Sequence, residues 1–290
     1  MKVTSYPVLI VLLRLRRWVP GAMFAVFILY ADDPSSSRSA EEERRAVLAK
    51  LKTQGPAGRR RDPVLDSALK IPLFNKLRGK HVVLASGSPR RLEILRTYGL
   101  DPVVCPSTFP ETLSHADYED PAQYAVATGS AKAVEVYEKL VRDVPDDPPD
   151  LVIGADTVVI LGGTNPAILE KPSSKGDQLD MLESYRGADV RVATGVTLVQ
   201  PQLATPGYSC TSLVVTSKVV FAENSPTLLN AYVESGEGID RAGGFAIQSM
   251  GGLLIERIEG DYNNIVGFPG QAFFKWLADM AEEGTLLEED

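Results

Sequence analysis

The spacing of apolar and polar residues along the chain predicts strands that alternate with helices. Residues 81–85 and Leu151–Leu161 form short apolar runs, which is the pattern of buried strands. After the first run, apolar residues recur at helical spacing, and Ser88 followed by Pro89 suits the start of that helix. The same signals predict helices over 121–140, 175–186, 225–234 and 271–281, strands over 102–105, 190–199 and 212–221, a return strand ending at 171, and a polar surface loop over 201–211. This alternation predicts an α/β fold with helices packed on a sheet.

Residues 1–70 differ in character from the rest of the chain. Apolar runs at 6–13 and 18–31 are separated by three arginines, and neither has the roughly 20 apolar residues that span a bilayer. A targeting peptide, a weak membrane-surface helix and a start codon placed too far upstream all fit this segment. Residues 32–63 are polar and poor in aromatics, as a linker is. We therefore predict an N-terminal extension and linker at 1–70, one folded domain at 71–283 and an acidic tail at 284–290.

Composition and charge narrow the classes of function. The 290 residues are 44% hydrophobic and 23% charged, as in an ordinary globular protein. A net charge of −8 argues against a broad nucleic-acid surface but leaves room for a small anionic ligand. With only Cys105 and Cys210, neither a disulfide framework nor a cysteine-rich zinc site can form. We therefore expect no nucleic-acid or membrane partner, and a reducing compartment: the cytoplasm, or the mitochondrion if the N-terminal segment is a targeting peptide.

The first candidate for chemistry is SGSPRR at 86–91. It ends a predicted strand and opens a helix, so free backbone N–H groups point outward there. Arg90 and Arg91 in the first turn oppose the helix dipole, and a bound anion beside them and Ser88 would offset that cost. A capped helix whose arginines pair with surface carboxylates explains the same residues.

The second candidate is Asp156, in the middle of an otherwise apolar strand. Burying a carboxylate costs free energy unless a metal, a cation or a catalytic role compensates it. The alternative interpretation is that Asp156 caps a loop at the end of the strand. Lys132, on the preceding helix, and Lys171, after the return strand, are candidates to meet phosphate charge. Alone, each is more often a solvated lysine.

The third candidate consists of DRAGGFAIQ at 240–248 and GDYNNIVGFP at 260–269. Gly243 and Gly244 permit close backbone approach to a planar ligand. Gln248 offers the paired donor and acceptor that can read a base edge. A Gly-rich hairpin carrying a polar side chain is the alternative interpretation.

Taken in order, these segments resemble the Maf family of nucleotide pyrophosphatases. The resemblance covers residues 84–277 and rests on LASGSPRRLEIL, IGADTVVIL, ILEKP, the Thr194-Gly195-Val196 strand, DRAGGFAIQ and GDYNNIVGFP. The stretch from Lys80 and the last motif look like the Maf-like domain of animal acetylserotonin methyltransferase-like proteins, whose methyltransferase half is not part of this sequence. The resemblance implies a mixed twisted sheet flanked by helices, with a central cleft, and it suggests a homodimer.

The resemblance also implies roles for the matching residues. Asp156 would activate water, and Glu111, in the loop after the first helix, would help Asp156 to hold Mg²⁺ or Mn²⁺. Lys132 and Lys171 match the two phosphate-site lysines of the family. The positions that set base choice are matched by Arg90, Thr157 and Gln248. The family branch with Arg and Gln at the first and last of these positions is expected to act on dTTP and UTP.

Some residues depart from the family pattern. Arg241, Phe245 and Ala246 stand where the family has Lys, Tyr and Gly, which bears on base selectivity. Gly129 and Ser130 stand where the family has better helix formers before Lys132, and we expect them to loosen that lysine.

The implied function is that of a hydrolase of nucleotide metabolism, a nucleoside triphosphate diphosphatase that cleaves dTTP and UTP to the monophosphate and pyrophosphate. Arg91, Lys132 and Lys171 would hold the triphosphate. Asp156 would orient or deprotonate water, a role that competes with binding of the metal. A pyrophosphatase for other or modified nucleotides and a non-catalytic nucleotide-binding regulatory module are the alternatives.

Overall fold

The computed structural model describes residues 61–110, 112–163 and 166–287. Its strands are β1 (Val82–Leu84), β2 (Val103–Val104), β3 (Leu151–Leu161), β4 (Ala167–Leu169), β5 (Val190–Pro201), β6 (Tyr208–Phe221) and β7 (Ile255–Glu259). Within these residues they form one seven-stranded sheet in the order β2-β1-β3-β5-β6-β7, with β4 joined to β3. β1 is parallel to β2 and β3, whereas the remaining pairs are antiparallel. The predicted mixed α/β sheet is confirmed.

Helices cover both faces of this sheet. They are α1 (Pro72–Leu77), α2 (Pro89–Thr97), α3 (Pro121–Asp143), α4 (Lys175–Ser184), α5 (Pro226–Glu234), α6 (Tyr262–Val266) and α7 (Gly270–Glu282). Successive strand residues point to opposite faces. Leu84 of β1 accordingly packs with α1, α2 and α7, whereas the adjacent Val83 packs with α3. None of the helices in the described part of the chain is long and apolar enough to cross a membrane.

One edge of β3 is shared by two short strands and is open between them. β1 pairs with residues 151–153 and β4 with residues 159–161, whereas β5 runs along the opposite edge. Among the described residues, 154–158 therefore have no strand partner on the first edge. Asp156 and Thr157 lie at this opening. A carboxylate is thus accommodated in an apolar strand because the sheet is interrupted beside it.

Helix α3 lies close against the sheet because glycines occupy the contact. A Cβ on Gly154 would stand 2.6 Å from the Cβ of Ala133, and a Cβ on Gly129 would stand 3.3 Å from the amide nitrogen of Asp156. Ser130 is buried and shares hydrogen bonds with hydroxyl groups of β5 and β6. The expectation that Gly129 and Ser130 loosen Lys132 is wrong, since α3 is continuous through both and Lys132 Nζ lies 2.8 Å from Asp156 Oδ1.

The packed domain extends beyond the limits of 71 and 283 predicted from the sequence. Val64 is only 4% exposed and joins the cluster under α1 and α7, and the amide of Leu65 donates to the carbonyl of Gly99 over 2.9 Å. At the other end, Leu287 is buried and its amide donates to Gln200 Oε1 over 2.6 Å. The predictions for residues 1–60 concern residues outside the described part of the chain.

The polar surface loop predicted over 201–211 is too long, because both of its ends belong to strands. β5 continues to Pro201, which pairs with Tyr208 at the start of β6, so only 202–207 connect the two strands. Tyr208 is buried, and its ring centroid lies 5.3 Å from that of Tyr137 on α3. Packing against the helix, rather than polarity, decides the structure of this segment.

Candidate active site

A cavity of about 340 Å³ lies at the opening beside β3. Eight residues predicted from the sequence line it: Ser88, Arg90, Arg91, Lys132, Asp156, Thr157, Lys171 and Gln248. The ninth, Glu111, lies outside the described residues. Segments that are far apart in the sequence therefore meet around one space, while the chemical roles of these side chains stay predictions.

Asp156 and Lys132 form an ion pair at the bottom of the opening. Lys132 Nζ lies 2.8 Å from Asp156 Oδ1, and the two side chains are 12% and 13% exposed. The close approach of α3 to β3 brings the ammonium to the carboxylate. Lys132 is thus the cation that compensates the carboxylate of Asp156. The sequence had predicted that this lysine meets the phosphate charge of a ligand.

Arg91 connects three of the predicted segments. Its guanidinium donates to the carbonyl of Gly267 over 3.0 Å, to Ser86 Oγ over 3.0 Å and to Thr157 Oγ1 over 3.2 Å. These bonds hold the start of α2, strand β3 and the end of α6 together. Arg91 therefore stabilises the wall of the cavity. Its contact with the triphosphate stays a prediction.

The motif GDYNNIVGFP contributes the short helix α6 rather than a hairpin. Asn264 is fully buried, and its amide donates to the carbonyl of Val192 over 2.9 Å and to Ser217 Oγ over 3.0 Å. The hydroxyl of Thr194 donates to the carbonyl of Asn264 over 3.3 Å and lies 3.0 Å from Thr157 Oγ1. The motif therefore anchors the cavity wall to β5 and β6.

Buried side chains from the α4 region fix the glycine-rich turn of the DRAGGFAIQ motif. Tyr185 Oη donates to the carbonyl of Gly243 over 2.5 Å, and Gln178 Nε2 donates to the carbonyl of Gly244 over 2.9 Å. The amide of Gly243 donates to the carbonyl of Glu170 over 3.0 Å. Gly243 has φ +70°, a conformation that favours glycine. The turn is thereby joined to the segment that carries Lys171.

Glu237 holds the residues that follow Gln248. Its carboxylate accepts from Ser249 Oγ over 2.6 Å and from the amide of Gly251 over 2.8 Å. Desolvation opposes the charged form, but these hydrogen bonds, with one from Tyr232, lower the pKa of Glu237. Gln248 itself is exposed at the cavity rim, carried by a loop that is fixed on both sides.

The cavity wall carries an excess of positive charge in a chain that is acidic overall. Five basic side chains line it, namely Arg90, Arg91, Lys132, Lys171 and Arg241, against three acidic ones, namely Asp156, Glu170 and Asp240. Burial lowers the pKa of Arg90, and the neighbouring charges of Arg241 and Arg91 lower it further. Arg241 was not among the predicted site residues, although its motif was recognised. The sequence marks it only as a member of that motif, because its place at the cavity follows from the fold of the glycine turn.

Comparison with known proteins places the chain among relatives of similar sequence. The sequence profile described as "Maf-like protein" matches residues 81–280. A fission yeast protein, Schizosaccharomyces pombe "dTTP/UTP pyrophosphatase", is 40% identical over 230 residues, covering 77% of this chain and 93% of the relative. A Deinococcus radiodurans protein of the same name is 41% identical over 189 residues, covering 65% of this chain and 87% of the relative.

A human relative is longer than this chain. The "Probable bifunctional dTTP/UTP pyrophosphatase/methyltransferase protein" of Homo sapiens is 45% identical over 215 residues, covering 72% of this chain. The matched region spans 33% of the human protein's length. With most of its length matched by the family profile and 40% identity to a relative covered almost throughout, this chain belongs to the Maf family.

Proposed function

We propose that this chain hydrolyses dTTP and UTP to the nucleoside monophosphate and pyrophosphate. The observation that carries the proposal is the cavity itself, where the paired carboxylate of Asp156 faces a wall with an excess of basic side chains. Such a site suits an anionic substrate and a proton acceptor for water. The names of the yeast, bacterial and human relatives support the choice of nucleotide.

In the proposed reaction, water attacks the α-phosphorus and the bond from this phosphorus to the bridging α–β oxygen breaks. Asp156 accepts the proton of the attacking water, and the pyrophosphate leaves with the bond's electron pair. Lys132 holds the carboxylate in place at 2.8 Å. Lys171 is exposed at the rim and would donate to phosphate oxygens as charge develops on the leaving group.

A divalent cation fits this donor set. Within the described residues no group of three His, Cys, Asp or Glu side chains is gathered for a metal. Mg²⁺, however, is commonly held by one or two carboxylates together with substrate phosphates. Asp156, together with Glu111, would hold Mg²⁺ or Mn²⁺ beside the triphosphate. When bound, the cation would neutralise charge on the phosphate oxygens.

Base choice is proposed to rest on Arg90, Thr157 and Gln248. The side-chain amide of Gln248 offers a donor and an acceptor side by side, which match the O4 and N3–H groups of uracil and thymine. The hydroxyl of Thr157 is bonded to Arg91 and lies 3.0 Å from that of Thr194, so it shapes the wall from a fixed position. The loop before and after Gln248 is held by Gln178, Tyr185 and Glu237.

The test is pyrophosphate release by the purified full chain. Substrates are dTTP, UTP, CTP, GTP, methylated GTP and ATP, each with and without Mg²⁺ or Mn²⁺. Metal-dependent release that is strongest for dTTP and UTP is the expected result. Folded protein that releases nothing from dTTP or UTP contradicts the proposal, and nucleotide binding without turnover would then favour a regulatory module.

We further propose a cytoplasmic homodimer that acts on nucleotides and does not bind nucleic acid. Cys105 and Cys210 are both free thiols, as in proteins of reducing compartments. A net charge of −8 does not favour a polyanion partner. Light scattering on the purified chain checks the dimer, and the cellular distribution of the tagged full chain checks the compartment against the mitochondrial alternative.

A further inference from the structure

Arg241 presents a buried, unsatisfied donor in the wall of the cavity. Its side chain is 23% exposed, and its Nε atom is buried without a hydrogen-bond partner among the described residues. The carboxylate of Asp240 lies 4.0 Å from Nε, which is beyond hydrogen-bond distance, and it is itself exposed to solvent. A buried cationic donor left in this way is costly, and such a cost points to a partner that arrives with a ligand.

The backbone of Arg241 is fixed on both sides. Its amide donates to the carbonyl of Gly238 over 3.1 Å, and its carbonyl accepts from the amide of Gly244 over 3.0 Å. Gln178 Nε2 donates to the carbonyls of both Glu237 and Gly244, at 2.7 and 2.9 Å, and so joins the two ends of the loop that contains Arg241. A turn with a fixed backbone therefore carries the guanidinium, so the donor without a partner does not result from a loosely held loop.

The surroundings of Arg241 select an anion. Arg90 lines the same cavity and lies near enough that the charge of Arg241 lowers the pKa of Arg90, after burial as the main cause. Arg91, held by Ser86 and Gly267, is a third cation and adds to this repulsion at Arg90. Crowded cations favour an anion, and a phosphate group would accept from the guanidinium of Arg241 in the geometry that it favours, which leaves Arg90 for the base.

The glycine turn that follows Arg241 lies over β3 beyond Asp156. A Cβ on Gly243 would stand 2.9 Å from the side chain of Val159, so the turn sits over β3 three residues beyond Asp156. Three residues along a strand correspond to about 10 Å. A cation placed there is suited to the β- and γ-phosphates, which carry most of the triphosphate's charge, rather than to the α-phosphate beside Asp156.

We propose that Arg241 binds the β- and γ-phosphates of the nucleotide, and hence the pyrophosphate that leaves. This assignment of a further substrate-binding residue rests on the proposed function for its role in turnover. The presence of an anion site at Arg241 does not depend on turnover, so the two can be tested separately.

The experiment is calorimetric titration of the full chain with inorganic pyrophosphate in the presence of Mg²⁺. Arg241→Gln is expected to weaken pyrophosphate binding by about tenfold or more, the effect of losing a hydrogen bond to a charged group. Arg241→Lys keeps the positive charge but lacks the guanidinium fork, so its affinity for pyrophosphate should lie between those of Arg241→Gln and the unmodified chain. Arg257→Gln, which removes the same charge from an exposed, ion-paired position on β7, is the matched control and should bind as the unmodified chain does.

Kinetics separate phosphate binding from base reading. With Arg241→Gln, the KM for dTTP should rise while the ratio of dTTP to CTP turnover stays unchanged. Pyrophosphate binding that is equal in Arg241→Gln and the unmodified chain, or that is absent from both, overturns the proposal, and a changed base ratio with unchanged pyrophosphate binding does so too. Arg241-dependent pyrophosphate binding without any nucleotide hydrolysis supports the anion site and contradicts only the proposed function. Thermal unfolding of each variant shows that the comparison is made between folded proteins.

Discussion

At the scale of single residues, the position of Asp156 is set by an interrupted sheet edge and by Lys132. The interruption lets a carboxylate stand in a strand that is otherwise apolar, and the ammonium at 2.8 Å offsets the cost of its partial burial. Lys132 thus has a role that its sequence position alone did not reveal. Removing either partner leaves the other charge partly buried and unpaired. A substitution at Asp156 or Lys132 is therefore expected to affect both the stability of the fold and the proposed reaction.

Asp156→Asn is expected to lower kcat for dTTP by about 10²–10⁴-fold, because an amide cannot accept the proton from water but retains an oxygen that Lys132 can bind. Pyrophosphate release measures the loss. Asp279→Asn, the same change in an exposed ion pair on α7, is the control and should keep the activity of the unmodified chain. Near-normal turnover by Asp156→Asn would remove Asp156 from the role of proton acceptor.

Gln248→Glu is expected to change the preference among dTTP, UTP and CTP while leaving the dependence on metal largely intact. The substitution replaces an amide donor with a second acceptor, which alters what the side chain can pair with on a base edge. Ratios of kcat/KM across the three nucleotides give the result. Gln271→Glu, an exposed position on α7, controls for the added charge. Unchanged ratios in Gln248→Glu would place the base elsewhere.

At the scale of elements, the site depends on how closely α3 lies on β3. The contact is made without side chains at Gly129 and Gly154, and this closeness is what brings Lys132 to Asp156. Helix propensity argues against glycine in the middle of a helix by about 1 kcal/mol. Tertiary packing outweighs that preference here, so a feature that weakens the isolated helix improves the fit of the assembled one.

Gly154→Ala is expected to destabilise the fold by about 1–3 kcal/mol, because the added methyl would meet the carbonyl of Gly129 and stand 2.6 Å from Ala133 Cβ. Denaturant unfolding measures this. Gly176→Ala is the matched control, since its added methyl would meet only Ser174 Oγ at 3.8 Å, and the first turn of α4 should gain up to about 1 kcal/mol. Equal stability of Gly154→Ala and the unmodified chain would show that the contact has room to spare.

The elements that the sequence predicted best are those whose signals are local. β3 matches the prediction from 151 to 161 because an apolar run bounded by polar turns has clear ends, and the cap at Ser225 correctly marks the start of α5. The error over 201–211 arose because Tyr208 is buried by a helix that is distant in the sequence. Arg241 was missed for the same reason, since its importance lies in where the loop is folded.

At the scale of the whole molecule, the domain is held together by contacts between its sequence-distant ends. Val64 joins the cluster under α1 and α7, and the amide of Asp101 donates to the carbonyl of Pro63 over 2.7 Å. Arg61 Nη2 lies 2.7 Å from a carboxylate oxygen of Asp101. The sequence boundary at 70/71 separated this segment from the core because its few apolar residues are interspersed with charged and polar ones. Its contribution to stability therefore offers a direct test of where the domain begins.

Two truncated chains, 61–290 and 71–290, make that test. The longer one keeps every described residue and should release pyrophosphate from dTTP at the rate of the full chain. The shorter one loses the burial of Val64, about 1.5–3 kcal/mol, together with the bonds from Leu65 and Asp101. For a domain of this size, about 2–4 °C of melting temperature corresponds to each kcal/mol, so 71–290 should melt roughly 3–12 °C below 61–290. Equal melting temperatures would mean that 61–70 lie on the core without stabilising it, and would restore the boundary at 71.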